Sequence, residues 1–519
     1  MRQFLQHHGE QILGVLNGFD RLRLRGSLRM FGAERGVVGW LHQVGIALED
    51  FLTWAQGMTK QLRRRTEEDA KVAGRPVEYL AAKVDKEEHV ASIRAKHGVA
   101  KNGLVTVLST LEMGTSYELQ RYRDTGRCVL YRKPRKCLYY YYYWDDGRFG
   151  LTQVRLQTYF PFHVHVVMNG REWLARQLDT LKIGYVRQDN CFIDIADMAR
   201  AQKLMDDQPR QDWRGQLNRL LRRVHPLHTE FFKAAPVDYY WASEQTEWAT
   251  DILFRDAAMV SKLYPALLRH AIDSFQASDV LRFLGHKMPG HGGVNGNYKG
   301  VVKTDLKRRA EGIRVKHSAG RNSIKMYNKQ PTVLRVETTI NDARDLKSYR
   351  RKEGEPKGKP AWRQLRKSVA DLGRRSKLSQ ASNARYLEAL STITSETPLS
   401  RLTDKLCRPV QIGKRRFRAL RPFDPDDVKL LEIVSRGETL ITGFRNRDVR
   451  HALYGSPADE RARHRQAASV TRKLAMLRAH GLIKKIPHTH RYILTTEGVT
   501  AITALMAARR SSLARLTAA

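Results

Sequence analysis

Cysteine is scarce in this chain. Its 519 residues include four, Cys128, Cys137, Cys191 and Cys407, and no two stand at the two-residue spacing of zinc ribbons and fingers. That excludes a zinc site from the expectations. Secreted domains stapled by disulfides use more cysteine, so a reducing compartment is expected. Long apolar runs are missing as well: no stretch approaches the ~20 residues of a membrane span, and the N-terminal MRQFLQHHGEQILGVLNGFDRLRLRG lacks the core of a signal peptide. Membrane partners are excluded and a cytoplasmic, nucleoid-associated location is expected. Negative charge is the third shortage, with 53 Asp+Glu against 93 Lys+Arg and a formal net charge of +40. Such a field repels itself unless a polyanion normally covers it, which argues against an ordinary small-metabolite enzyme and for a nucleic-acid partner. DNA is the expected partner, RNA the second.

What is present can fold. With 41% apolar and 8% aromatic residues the chain can bury real cores. Shifts in composition divide it at 1–115, 116–235, 236–350, 351–421 and 422–519. The first segment reads mainly helical: Gly36 to Leu62 keeps apolar residues at three- and four-residue steps. A basic knot, Arg63 to Arg65, follows it. Two β-like pieces, Phe19 to Leu28 and Gly103 to Glu112, interrupt this region. The second segment is strand-rich, with a helix at Arg171 to Thr180, a strand in GYVRQDNCFIDI and a helix at Ala196 to Asp206, the order of a compact or ferredoxin-like α+β unit. Its run Tyr139 to Tyr143 puts alternate rings on opposite sheet faces, either to stack unpaired bases or to pack inside the protein. The third segment has a strand near DYYWASEQTEWATDILF, a helix at Asp256 to Phe275, a glycine loop Pro289 to Gly300 and three β runs in GIRVKHSAGRNSIKMYNKQPTVLRVETTIND. The loop lacks Walker A or dinucleotide spacing. From Lys347 to Lys377 twelve Lys/Arg stand against three Asp/Glu, a basic linker in which Arg350, Arg351, Arg366 and Lys367 are candidate phosphate contacts.

Past this linker, Asp426–Ser435, Asn446–Tyr454 and Ser469–Gly481 read as three helices, and LIKKIPHTHRYILTTEG as two strands around a turn. The Leu474, Leu477, Gly481, Leu482, Ile483 pattern leading into that turn resembles winged-helix proteins of the MarR and replication-initiator kinds. The resemblance implies a third helix in a DNA major groove, presenting Ser469, Thr471, Arg472, Lys473 and Arg478, with His488, His490 and Arg491 on the wing. The fold class expected is multidomain α+β: a mixed or antiparallel sheet core, a helical N-terminal region and a C-terminal winged helix.

Three patterns can carry chemistry. His163 and His165, two apart on a strand, share one face and can share a divalent metal; the pattern resembles the metal motif of HUH endonucleases, which nick single-stranded DNA with a tyrosine. The segment SIKMYNKQPTVLRVETTIN resembles part of rolling-circle replication initiators and related phage proteins, where an aromatic-Asn/Asp-Lys step precedes Arg-x-Glu; here these are Tyr327, Asn328, Lys329, Arg335 and Glu337. A carboxylate at Glu337 can hold Mg²⁺ or Mn²⁺ while the guanidinium steadies phosphate, or the two form a strand ion pair. Asp251 and Asp305 are the carboxylates chosen to complete that site. Tyr327 and Tyr349 are candidate nucleophiles, since phenol attack on a phosphodiester leaves a covalent phosphotyrosine; Tyr349, in Tyr-Arg-Arg-Lys, resembles the Tyr-x-x-Lys step of relaxase-like nickases. A solvated basic face explains Tyr349 equally well.

Three readings follow: a metal-dependent DNA nickase or strand-transfer protein of a mobile element or replicon, replication-initiator or transposase-like; a non-catalytic DNA-binding initiator or regulator; and an RNA-binding ribonucleoprotein partner.

Overall fold

The structure, a computed structural model, describes the chain apart from residues 82–83, 99–101, 287–297, 299, 310–311, 353, 356, 392–398, 414, 436–442, 488 and 511–519. Most of the glycine loop at 289–300, and His488, therefore lie outside the described residues. The protein is mixed α+β and divides into two compact units, one of Met1–Val15, Thr250–Thr338 and Leu378–Ala519, the other of Leu16–Ala249 and Thr339–Lys377. In chain order the strands are β1 (Ile12–Leu28), β2 (Val77–Tyr79), β3 (Leu104–Arg121), β4 (Cys128–Asp146), β5 (Gly150–Gln157), β6 (Val164–Asn169), β7 (Tyr185–Gln188), β8 (Cys191–Ile195), β9 (Tyr239–Phe254), β10 (Val302–Arg309), β11 (Gly312–Ala319), β12 (Asn322–Gln330) and β13 (Val333–Ile340). No helix among the described residues is long and apolar enough to cross a membrane.

In the unit built on Leu16–Ala249 the sheet order is β9-β1-β6-β5-β4-β3-β2. The pairs from β3 to β6 and β1 with β6 are antiparallel, and β2 with β3 is parallel. The N-terminal region is richer in strand than its helical pattern suggests, since β1 runs 17 residues and β3 18. The apolar pattern from Gly36 to Leu62 is also two helices, Glu34–Gln43 and Phe51–Val72, because the chain turns at Gly45 with φ 72° before resuming. GYVRQDNCFIDI is a hairpin of β7 and β8 that turns at Asp189 with φ 51°. This hairpin forms a sheet of its own, so the ferredoxin-like arrangement does not arise.

Helix Trp213–Val224 shows how such elements seat themselves. Asp212 caps it by accepting from Gly215 N at 2.9 Å, and its buried residues are Trp213, Leu217, Leu220, Leu221 and Val224. That three-and-four spacing is one face of a helix, and each such side chain contributes about 2 kcal/mol as an upper bound. Pro226, two residues past Val224, cannot continue the helix. Gly170, opening helix Gly170–Thr180, is a place where only glycine fits: a Cβ there would sit 2.0 Å from the Phe19 carbonyl oxygen.

In the other unit the order is β10-β11-β12-β13-β9. Ile252, Phe254, Val315, Ile324, Met326, Leu334 and Val336 point to one face, where Tyr264, Leu267, Phe283, Tyr386 and Leu387 close a core. The period of two along each strand leaves the alternate residues on the opposite face. Asn383, on helix Leu372–Leu390, locks β9 to β13 by donating to Thr250 Oγ1 and to the Val336 carbonyl, both at 3.0 Å. A second core joins Leu430, Leu431, Val434, Val470, Leu474, Leu477 and Ile502. It gathers helices Pro425–Ser435, Asn446–Tyr454, Glu460–Ala479 and Thr496–Arg510 and an antiparallel pair, Ile483–Lys485 with Tyr492–Leu494. Phe444 adds an antiparallel bridge to Tyr492.

Candidate acidic and basic sites

Asp20 and Glu247 are placed by their neighbours. Phe19 and Trp248 meet edge-on at 4.9 Å between centroids in the core. Adjacent strand residues point to opposite faces, so Asp20 on β1 and Glu247 on β9 turn to the polar side. Their carboxylate oxygens lie within 4.8 Å of each other. Asp20 is buried and accepts from Asn190 Nδ2 at 2.8 Å, and Glu247 Oε1 accepts from Gln245 Nε2 at 2.8 Å. Oxygens at this separation fit the shell of one hard divalent cation such as Mg²⁺ or Mn²⁺.

In the other unit Glu337 is buried on β13 on the face opposite the core. Lys325 Nζ donates to its Oε1 at 2.6 Å and the Tyr327 hydroxyl to its Oε2 at 2.9 Å. Sequence reasoning placed Tyr327 and Glu337 together, and the structure does so as well, with Tyr327 serving as a hydrogen-bond donor and itself buried. Lys325, Lys316, Arg314 and Lys307 crowd this region, and burial together with Lys325 and Arg314 pushes the Lys316 ammonium below the usual lysine range. A cation held down by other cations gains when an anion arrives.

The three carboxylates expected to converge, Asp251, Asp305 and Glu337, do not. Asp251 is engaged by Arg335, whose Nη2 donates at 2.9 Å and whose Nε reaches the other oxygen; both residues are about 1% exposed. Asp305 is exposed on β10, opposite Lys316 of β11. Three strand spacings separate β10 from β13 in the order, about 14 Å. His163 and His165 do share a face, but their surroundings are those of an ion-pair cluster. His165 Nδ1 lies 3.2 Å from Arg155 Nη1 and its Nε2 lies 3.5 Å from Glu244. Burial, then Arg25 and His165, hold His163 down at about 3, so it is neutral. Among the described residues the two join no group of three ligand atoms.

The basic linker forms a cleft. Strands Lys347–Arg350 and Ala361–Gln364 pair as a hairpin, and Tyr349, Arg350, Arg351, Lys352, Arg366 and Arg374 line a cavity of about 440 Å³. Asp371, fully buried, anchors it by accepting from Arg366 at 2.8 and 3.1 Å and from Arg374. Burial alone would raise the Asp371 carboxyl, but the Arg366 bonds and the Arg374 charge hold it below the usual range. Lys367 is exposed nearby in sequence, its carbonyl accepting from Ser243 N at 2.6 Å.

On helix Glu460–Ala479, Arg472 and Arg478 are exposed and Lys473 half-buried. Ser469 Oγ lies 3.1 Å from the Tyr454 hydroxyl, and Thr471 Oγ1 accepts from Asn446 Nδ2 at 2.9 Å, so both hold the helix to its neighbour. His490 is exposed, while Arg491 donates to the Gly443 carbonyl at 3.3 Å. The helix starts nine residues before the expected Ser469 because Asp459 caps it through Ala462 N, adding exposed Arg461, Arg463 and Arg465. Sequence reasoning also missed Asp20 and Glu247; the usable signal was that each flanks a large aromatic, Phe19 or Trp248, in a strand pattern of period two.

Comparison of the chain with protein-family models, with curated proteins and with solved structures found no match.

Proposed function

We propose that this protein binds nucleic acid and carries out metal-dependent strand cleavage or transfer on it, with a C-terminal winged helix that selects the site. The close pairing of Asp20 with Glu247 in a chain of net charge +40 carries this reading. Carboxylates are scarce here, and a divalent cation is the species that makes their clustering useful beside phosphate. Asp20 with Glu247 in one unit, and separately Glu337 in the other, are the carboxylates proposed to hold Mg²⁺ or Mn²⁺, which would polarise a phosphoryl oxygen. Lys316, Lys325 and Arg314 would neutralise the approaching backbone. The helix order, the strand pair after helix Glu460–Ala479 and the exposed arginines of that helix support the winged-helix assignment.

Purified protein with Mn²⁺ is expected to nick supercoiled plasmid. Asp20→Asn or Glu337→Ala should abolish nicking and leave DNA retention unchanged; full nicking by both variants would remove these residues from the mechanism. The second reading, a non-catalytic DNA binder, is favoured by one observation: Lys325 and Tyr327 already satisfy both oxygens of Glu337. It requires that wild-type protein bind plasmid tightly without nicking it at any Mn²⁺ or Mg²⁺ concentration. Under either reading, removing residues 422–519 should erase sequence preference and keep salt-sensitive affinity.

A further inference from the structure

We infer that the paired strands Lys347–Arg350 and Ala361–Gln364, with the cleft beside them, are a site for single-stranded nucleic acid, taking one unpaired base on an aromatic shelf and the adjoining phosphate in the cationic cleft. The inference rests on the nucleic-acid reading above and narrows it to a strand whose bases are free.

Two observations meet here. Tyr349 and Trp362 are direct cross-strand partners, with ring centroids 5.8 Å apart and planes inclined at 59°. They are 61% and 68% exposed, an unusual state for rings of this size. Their strands form a two-stranded sheet with no further strand beside it among the described residues. An indole that open offers π surface to solvent, and every base has a π face to lay against it. The second observation is the cleft, whose wall includes Tyr349 itself together with Arg350, Arg351, Lys352, Arg366 and Arg374. Asp371 fixes Arg366 and Arg374 from below, so part of that positive wall is pre-organised. A cavity of about 440 Å³ falls in the range of small-ligand sites and has room for a sugar-phosphate.

Duplex DNA can offer the phosphate but keeps its bases stacked on one another. A single strand offers both, one step apart along the backbone, and a ring bordering a guanidinium cluster matches that order. The chemistry does not separate DNA from RNA, because neither a π face nor a phosphate differs between them. Tyr349 acts here as part of the shelf.

The test uses the full chain, fluorescein-labelled oligothymidylate and oligouridylate, an abasic deoxyribose-phosphate oligomer, and a duplex, all in EDTA so that no cation chemistry contributes. Trp362→Ala should weaken both base-bearing single strands about tenfold, and Trp362→Phe should restore most of the loss. The same substitution should leave the abasic oligomer and the duplex unchanged. Arg351→Ala should weaken all four ligands and reduce the salt slope by about one. Unchanged single-strand affinity in Trp362→Ala, or an equal loss on the abasic oligomer, overturns the inference. Wild-type protein that retains neither duplex nor strand at low salt overturns it together with the proposed function. The expected pattern in a protein that never nicks plasmid upholds this site and removes only the catalytic reading.

Discussion

Two groups of aromatic residues in this protein invite opposite conclusions from sequence and structure. Tyr139 to Tyr143 form an unbroken run that looks like a stacking surface, yet all five are 2–8% exposed. Tyr349 and Trp362 stand thirteen positions apart in a charged linker, and they are the open pair. The run sits on β4, between β3 and β5, and both of its faces are covered. On one side the Tyr142 hydroxyl meets Thr66 Oγ1 at 2.8 Å, and on the other Arg155 lies 3.8 Å above the Tyr139 ring. The pair sits on a short hairpin whose neighbours are cations. Density of aromatics along the chain therefore reports on the core, and exposure depends on how many strands and helices flank the ring.

This contrast can be tested by substitution. Tyr142→Ala removes a fully packed ring and its bond to Thr66, and should destabilise the protein by about 3 kcal/mol in urea unfolding; a loss under 1 kcal/mol would mean the run is not core. Asp371→Asn should follow at about 2 kcal/mol, a figure reduced because Arg366 and Arg374 are part-exposed. Because the Asp371 carboxyl is held low, its contribution is present above the ordinary carboxylate value and lost as pH falls through the folded value beneath it. Acid titration of wild type and variant should therefore converge at the lowest pH.

Buried histidines should make each of the two units acid-sensitive as well. Burial holds His163 and His225 at about 3 and His317 at about 4, so all three are neutral when folded, while the unfolded chain protonates them near the ordinary 6.5. A histidine lowered in this way contributes stability fully above 6.5 that is lost as pH drops towards the folded value. The slope approaches about 1.4 kcal/mol per pH unit for each group. His225, ringed by Phe162 and Phe231, tests this singly: His225→Phe should flatten the stability profile between pH 6 and 4, measured by urea unfolding at each pH. A profile parallel to wild type would refute it. The smallest effect belongs to the open pair. Trp362→Ala should shift unfolding by less than about 0.5 kcal/mol, and a larger loss would show that the hairpin is packed after all.

How far the fold was legible can be seen in single elements. Helix Asn446–Tyr454 has the bounds its sequence suggests, because Gly455, at φ 71°, ends it. The long helix expected from Gly36 failed because three-and-four spacing persists across a turn, and periodicity alone does not see Gly45 take a positive φ. The sequence marks only the ten residues Phe19 to Leu28 of strand β1, since its first half carries glycine and asparagine that lower strand propensity. Site residues depend on more. Arg335 with Asp251, and Tyr327 with Glu337, came together because strands β12, β13 and β9 adjoin, and the β runs were readable. Asp305 lies just before those runs, on a strand whose charged residues hide it, and strand order, which decides distance, is not contained in the sequence. Asp20 and Glu247 stand more than two hundred positions apart, and only pairing of β1 with β9 reveals them.

Strand β10 ends the strand order, and seven of its eight residues are exposed, among them Lys303, Lys307, Arg308 and Arg309. A terminal strand leaves a row of amide and carbonyl groups that another chain could zip onto, and charged side chains along it are the usual guard against that. Neutralising all four cations should therefore leave this margin prone to aggregation without touching any core.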